Sequence, residues 1–246
     1  MLIRIGAAAV AVGMLLVGCG PSPDADPTTP PTPPPTPSAT ATPSPTAPAP
    51  APTPSPKGTG AAGLIAGAKA ALDTLPVKGR APKTGYDREG QFGAAWLDTD
   101  ANGCDTRNDI LRRDLTQLVM RDACIVERGR LADPYSGLTI EFERGVQTSS
   151  KVQIDHVVAL SNAWQTGAQQ LTYEERVAFA NDPLELLAVD GALNQQKGDG
   201  DAATWLPPNR AYRCEYVSRQ VMVKQRWGLW LTPPEHDAIE RILAGC

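Results

Sequence analysis

The sequence predicts an α+β domain that follows a long proline-rich segment. Residues 154–158 and 184–190 are short apolar runs with the length of strands. Residues 194–199 follow them with an amide, a lysine and a glycine, as at the end of a helix. Strand, insert, strand and helix in this order bring polar groups from the first strand and the last helix together.

Further helices and an N-terminal β-hairpin are predicted around this core. Alternating apolar and polar residues predict strands at 124–131 and 137–142, joined by the turn residues of 133–137. Apolar residues at helical spacing predict helices in six other places. These helices span residues 64–75, 105–118, 161–167, 172–180, 209–227 and 233–243.

The start of the chain predicts export. Arg4 precedes a short apolar run, which is typical of a signal peptide and too short for a stable membrane span. The sequence Leu16-Val17-Gly18-Cys19 resembles a bacterial lipobox, which implies cleavage after residue 18 and a lipid on Cys19. An ordinary signal peptide is the alternative. We therefore predict a signal peptide over residues 1–18 and either an outward-facing membrane lipoprotein or a secreted protein.

A segment of low complexity follows the leader. Residues 21–56 are almost entirely Pro, Thr, Ser and Ala. They cannot bury enough apolar surface to offset chain entropy, and the prolines favour extended polyproline II. We predict a disordered linker over residues 19–60 and one folded domain over residues 61–246. With 41% hydrophobic residues, the 246-residue chain can bury one such core.

The chain has 5 cysteines, and assigning Cys19 to the lipid leaves Cys104, Cys124, Cys214 and Cys246. An even number in an exported chain predicts two disulfides, for which three connectivities exist. Pairing of neighbours, Cys104 with Cys124 and Cys214 with Cys246, fits two separate subdomains. Structural zinc is the alternative, but the sequence lacks the Cys-x-x-Cys spacing that favours it.

The charge balance limits the partners. A formal net charge of -4 argues against tight, non-specific coating of nucleic acid, which requires an extended basic face. A nuclease that contacts a few phosphates stays compatible with this charge. Asp98, Asp100 and Asn102 resemble the start of an EF-hand loop, but Asp109 stands where that loop has Glu, which favours a polar turn.

Short motifs run in order through residues 103–246. The most informative are Ile154-Asp155-His156-Val157-Val158 and residues 194–199, accompanied by residues 103–108, 133–137, 180–183, 205–208 and 212–214. Together they resemble the HNH endonuclease superfamily, and more closely an exported bacterial branch with a GmrSD-type C-terminal domain. The resemblance implies a ββα-metal core and nuclease activity.

The resemblance also implies individual roles. Asp155 and Asn194 would bind one divalent metal, and His156 would be the general base that activates water. Both ligands are hard oxygen donors, which favours Mg²⁺, with Mn²⁺ or Ca²⁺ as alternatives. Lys197 would contact a phosphate or anchor the loop, and Arg107 would have a phosphate-directed or a structural role.

One position departs from the family pattern. Many HNH proteins have an asparagine before a leucine of the second strand, where it fastens the loop through backbone hydrogen bonds. Glu185 precedes Leu186 here. Either Asn181 takes over this structural role, or Glu185 accepts the same amide hydrogens without donating.

Several of these residues also have a purely structural interpretation. His156 would otherwise be a buried, hydrogen-bonded histidine, although its place in the motif favours catalysis. Trp164 and Trp205 could stack on bases, but core packing is favoured. A solvated helix face is expected for Arg112 and Arg113.

We therefore predict a metal-dependent HNH-type endonuclease that hydrolyses DNA outside the cytoplasm. Its partners would be nucleic acid and, through Cys19, a membrane surface. We infer no protein partner and expect a monomer. The alternative is a non-catalytic surface lipoprotein that uses the same fold to bind DNA or an envelope partner.

Overall fold

The computed structural model describes residues 60–246, so the predicted signal peptide, Cys19 and almost the whole linker lie outside the described residues. Within them, the chain forms eight α-helices and five strands. The elements are α1 (Ala61–Leu72), α2 (Arg88–Phe92), α3 (Thr106–Asp114), β1 (Leu115–Met120), β2 (Val126–Ala132), β3 (Thr139–Glu143), β4 (Val152–His156), α4 (Leu160–Gln165), α5 (Tyr173–Ala180), β5 (Leu186–Asp190), α6 (Gly191–Lys197), α7 (Arg213–Arg226) and α8 (Pro233–Ala244).

Strands β1, β2 and β3 form an antiparallel sheet in that order. β2 and β3 lie where the sequence predicts two strands, but β1 occupies the end of the helix predicted over residues 105–118. α3 stops at Asp114, and Leu115 pairs with Leu131 of β2. The prediction was wrong there because pairing with β2 gives this segment backbone hydrogen bonds and buries Leu115 in the core.

The predicted ββα unit is present as β4, β5 and α6. β4 and β5 pair antiparallel, from Val152 with Asp190 to His156 with Leu186. Asp190 ends β5 and also caps α6, because its carboxylate accepts the amide of Leu193 at 2.8 Å. At the first residue of α6, a Cβ added to Gly191 would lie 1.9 Å from the carbonyl oxygen of Ser150. Glycine therefore lets the helix approach the start of β4.

The two-stranded β4–β5 sheet lies between two parts of the core, because alternate residues of each strand point to opposite faces. Val157, Leu187 and Val189 pack with residues of α1, α7 and α8. Residues on the other face, among them Ile154 and Ala188, pack with α3 and the three-stranded sheet. A third cluster, centred on Phe92 and Phe179, joins α2, α4 and α5.

Two disulfides are formed. Cys104 is bonded to Cys124 and Cys214 to Cys246, which confirms the neighbour pairing. The capping box predicted at Thr172 and Glu175 is also formed, at the start of α5. No helix within residues 60–246 is long and apolar enough to cross a membrane.

Candidate active site

Asp155 and His156 end β4 and point to opposite faces of the β4–β5 sheet. The Asp155 side chain meets residues before β3 and on α6, whereas that of His156 meets α5. This separation follows from the alternation of side chains along a strand. The two motif residues therefore work in different surroundings.

His156 is buried, and its Nε2 lies 2.9 Å from the carbonyl oxygen of Ala180. A carbonyl oxygen can only accept, so Nε2 carries the proton of the neutral ring and Nδ1 is left as the acceptor. The indole of Trp96 stacks on the imidazole with the rings 6.0 Å apart and 16° from parallel. Burial, and next the charge of Arg88, lower the pKa of His156 to about 3. The ring is therefore neutral at physiological pH.

A small cleft lies beside this imidazole. Its walls come from the loop after α2, from the start of α4 and from the end of α5, and they include Arg88, Trp96, His156, Leu160 and Asn181. The cleft encloses about 10 Å³, which is the space that one water molecule needs. A neutral histidine that lines such a space could act as a general base on a water molecule held there.

Asp155 is held in a buried network. Its Oδ1 accepts the Lys197 ammonium at 2.8 Å, and its Oδ2 accepts the Tyr135 hydroxyl. Burial, and next the charge of Asp155, hold the pKa of Tyr135 well above its usual value, so the phenol keeps its proton and donates. The carboxylate is thus neutralised and hydrogen-bonded within the protein.

These contacts bear on the metal predicted at Asp155 and Asn194. Asn194 donates its Nδ2 to Oε1 of Gln153 at 2.9 Å, on the same face of β4 as Asp155. A metal on Asp155 would compete with the Lys197 ammonium and the Tyr135 hydroxyl for the same carboxylate. This arrangement does not fit an open metal site, so we assign no catalytic step to a metal. The ligand roles of Asp155 and Asn194 stay predictions.

Among the described residues, a group of His, Asp and Glu side chains close enough to share an ion occurs instead on α8. It consists of His236, Asp237 and Glu240. His236 is partly exposed and lies 3.6 Å from Asp237. Exposed acidic groups are common without an ion, and we attach no function to this group.

Lys197 and Arg107 are both placed as anchors. The Lys197 ammonium is fully buried and also donates to the carbonyl oxygen of His156 at 2.7 Å, which ties α6 to the end of β4. Arg107 donates to the carbonyl oxygen of Val152 at 3.2 Å, and burial, ahead of the nearby charge of Arg144, lowers the pKa of its guanidinium. Both side chains thus bond to backbone carbonyls of β4, and their roles toward a phosphate stay predictions.

Glu185 holds the loop after His156, whereas the Asn181 side chain bonds to α5. Both carboxylate oxygens of Glu185 approach the amide of Val158, at 3.1 and 3.2 Å. Burial holds the pKa of Glu185 well above its usual value. Asn181 donates to the carbonyl oxygen of Val177 at 2.9 Å, while its own Oδ1 is buried without a hydrogen-bond partner among the described residues.

The two tryptophans considered for base stacking pack in the core. Trp164 lies against Phe92, with ring centroids 6.4 Å apart, and Trp205 lies 5.0 Å from Tyr135. The acidic loop folds on itself, since Asp98 accepts the amide of Gly103 at 2.9 Å. That contact agrees with a polar turn.

Arg113 is exposed, as expected, and its guanidinium also bonds to the backbone near β5. Its guanidinium donates to the carbonyl oxygens of Pro183 at 2.7 Å and Leu186 at 2.8 Å. These carbonyls flank the start of β5, so Arg113 fastens α3 to the ββα unit. Arg112 is exposed, as expected.

Sequence reasoning missed three residues of the site: Arg88, Trp96 and Tyr135. Tyr135 belongs to a turn, where polar residues are usual, yet it is completely buried. A large aromatic residue within an otherwise polar turn was the available clue. Arg88 and Trp96 precede the recognised motifs, and nothing local in the sequence links them to His156.

Comparison with known proteins identifies the family of the chain. The family model of GmrSD restriction endonucleases, C-terminal domain, matches residues 105–242, which is more than half of the chain. An uncharacterized secreted protein of Arthroderma benhamiae is 37% identical over 181 residues, covering 73% of this chain and 84% of the relative. No solved structure matches. The chain belongs to the family of GmrSD-type HNH restriction endonuclease C-terminal domains.

Proposed function

We propose that this protein is an endonuclease that hydrolyses phosphodiester bonds of DNA outside the cytoplasm, with His156 as general base. Membership of the HNH nuclease family suggests nuclease activity and a nucleic acid substrate. The observation that carries the proposal is the neutral His156 ring, whose Nε2 is held by the Ala180 carbonyl and which lines a water-sized space. The Ala180 carbonyl supports it by fixing the tautomer.

The proposed reaction uses the other ring nitrogen, Nδ1, once per cleavage. Nδ1 of His156 takes a proton from a water molecule as the water oxygen bonds to phosphorus. The bond between phosphorus and the leaving 3′ oxygen breaks, and that oxygen takes a proton from solvent. An imidazole with a pKa of about 3 is a weak base. A bound phosphate would raise its pKa, because a nearby negative charge favours the protonated ring.

HNH nucleases generally use a divalent metal. The hard oxygen donors of Asp155 and Asn194 favour Mg²⁺, with Mn²⁺ or Ca²⁺ as alternatives. Occupation of both Asp155 oxygens by Lys197 and Tyr135 speaks against that site as arranged. A metal there would require the ammonium to move away.

The features that indicate export support a substrate that the protein meets outside the cytoplasm. Two disulfides fit an oxidising compartment, and the fungal relative is described as secreted. We propose a protein that is secreted or held at the outer side of the membrane by a lipid on Cys19. It would act there on DNA as a monomer.

The test is cleavage of supercoiled plasmid by the purified, oxidised protein with Mg²⁺, Mn²⁺, Ca²⁺ or EDTA. His156→Ala should abolish cleavage with an unchanged circular dichroism spectrum, whereas His236→Ala, which alters the chain's other histidine, should retain it. Full activity of the His156 variant would refute the assignment.

A non-catalytic module that binds DNA or an envelope partner is the second candidate. It is favoured by the Asp155 carboxylate, which is neutralised within the protein instead of being left open. Saturable DNA binding by the folded wild type, without cleavage under any metal, would select this candidate.

A further inference from the structure

Arg88 lines the same cleft as His156. It is the first residue of α2, and its side chain is exposed. The described residues give its guanidinium no ion pair, unlike Arg80, which is paired with Asp201 at 2.7 Å. An exposed cation with this placement is available to an anionic ligand.

The position of α2 is fixed by its surroundings. Phe92 is buried against Trp164 and Phe179. Arg176 of α5 donates its Nε to the carbonyl oxygen of Gln91 at 2.8 Å. The short helix therefore has a defined place beside the cleft, and the Arg88 side chain starts from a rigid base.

The cleft itself offers an unused acceptor. Asn181 lines it, and Oδ1 of Asn181 is buried without a partner in the described part of the chain. Its Nδ2 is already committed to the carbonyl of Val177, which fixes the orientation of the amide. A buried acceptor without a hydrogen-bond partner is unfavourable. A donor such as water in the cleft would satisfy it.

The charges around the cleft select the ligand. The side chains that line it include one permanent cation, Arg88, and no carboxylate. Its enclosed part has room for one water molecule, so a phosphodiester has to dock at the mouth. Guanidinium groups bind phosphate oxygens through paired donors.

We infer that Arg88 binds the scissile phosphate at the mouth of the cleft while Asn181 and His156 hold the attacking water inside it. This inference rests on the proposed nuclease function. It assigns a substrate-binding residue that lies outside residues 105–242, the region matched by the family model. The segment around α2 thus completes the active site.

The first test compares variants of the complete protein in steady-state cleavage of a DNA duplex. Arg88→Ala should lower kcat/KM by about 10²-fold, the usual loss when one donor to transition-state charge is removed. Arg88→Lys should recover part of this loss. Arg241→Ala, at an exposed arginine of α8, should match the wild type. Added guanidinium should raise the activity of Arg88→Ala, which a purely structural role would not allow.

A binding measurement separates this inference from the proposed function. In a His156→Ala background, adding Arg88→Ala should reduce the slope of log K against log salt by about 0.9, the value for one phosphate contact. If the wild type cleaves DNA and Arg88→Ala is equally active, the phosphate-binding role of Arg88 is refuted and the proposed nuclease function is retained. If the wild type does not cleave DNA, the proposed nuclease function is refuted, and the salt dependence of binding tests Arg88 separately. A smaller slope in the Arg88→Ala protein then supports the phosphate contact, and an unchanged slope overturns it.

Discussion

The ammonium of Lys197 lies 2.8 Å from Oδ1 of Asp155, and neither side chain is more than 4% exposed. The ion pair joins α6 to β4 and is closed on its other side by the Tyr135 hydroxyl. Two charges taken out of water are tolerated only when each compensates the other and the remaining polar atoms are hydrogen-bonded. Asp155 is therefore part of the framework of the site as well as of its motif.

Asp155→Asn should lower the free energy of unfolding by about 3 kcal/mol, since it leaves the Lys197 ammonium buried without its counter-charge. Urea denaturation measures the change. Asp237→Asn, at an exposed carboxylate of α8, should change stability by less than about 0.5 kcal/mol. A stable Asp155→Asn protein that has lost cleavage would instead indicate a carboxylate reserved for a ligand.

Glu185→Gln should stabilise the protein at alkaline pH. The pKa of Glu185 is raised in the folded state, mainly by burial, and the charges of Asp155 and Asp182 add to this, while Lys197 opposes it. The folded state thus holds a proton that the unfolded state loses above its pKa of about 4.5. Stability from this group is present at low pH and is lost as pH rises toward the folded pKa.

Glutamine keeps an acceptor for the Val158 amide and cannot ionise. At pH 8 the Glu185→Gln protein should therefore have a larger free energy of unfolding than the wild type, and near pH 4.5 the two should be similar. Melting temperatures between pH 4.5 and 8 provide the measurement. Glu240→Gln, exposed on α8, serves as control. Equal pH profiles for wild type and Glu185→Gln would show that Glu185 is ionised in the folded protein without penalty.

Much of the fold was predictable because its determinants are local. The capping box of Thr172 and Glu175 and the apolar periodicity after it fix α5 without reference to the rest of the chain. β1 was missed since its strand state depends on pairing with β2, and residues 115–118 alone continue the helical pattern of α3. Nearby cysteines made the disulfide pairing predictable.

The site was predictable in position but not in its contacts. The motif located His156 at the end of β4. The donors to Asp155 come from Tyr135 and Lys197, which are 20 and 42 residues away. Such contacts arise from tertiary packing, and no periodicity or spacing reports them. The same is true of Arg88 beside His156.

Removal of the Cys214–Cys246 disulfide should destabilise the protein, because the bond closes a loop of 32 residues and joins α8 to the start of α7. Chain entropy gives a loss of about 3.5 kcal/mol for a loop of this size. Cys214→Ser with Cys246→Ser should show it in urea denaturation. Peptide mass mapping should find no Cys104–Cys214 linkage, and such a linkage would contradict the connectivity.

Substitution of Trp96 is expected to affect activity more than stability. Its backbone is left-handed, with φ of 63°, and its indole stacks on His156. A left-handed conformation costs a non-glycine residue about 1–2 kcal/mol. The fold retains that conformation where it places an aromatic wall against the imidazole, which is how strain at functional sites is usually maintained.

Trp96→Gly should therefore relieve the backbone strain at this position but remove the indole that stacks on His156. The gain and the lost packing oppose each other, so we expect the free energy of unfolding to change by less than about 1 kcal/mol. kcat should fall by about 10-fold, because His156 loses the contact that orients its ring. Ala101→Gly is the matched control: Ala101 also has positive φ, 57°, but does not line the cleft. It should gain stability and keep full kcat. If Trp96→Gly keeps full kcat as well, the stacking on His156 has no catalytic role, and the left-handed backbone at Trp96 serves only the loop.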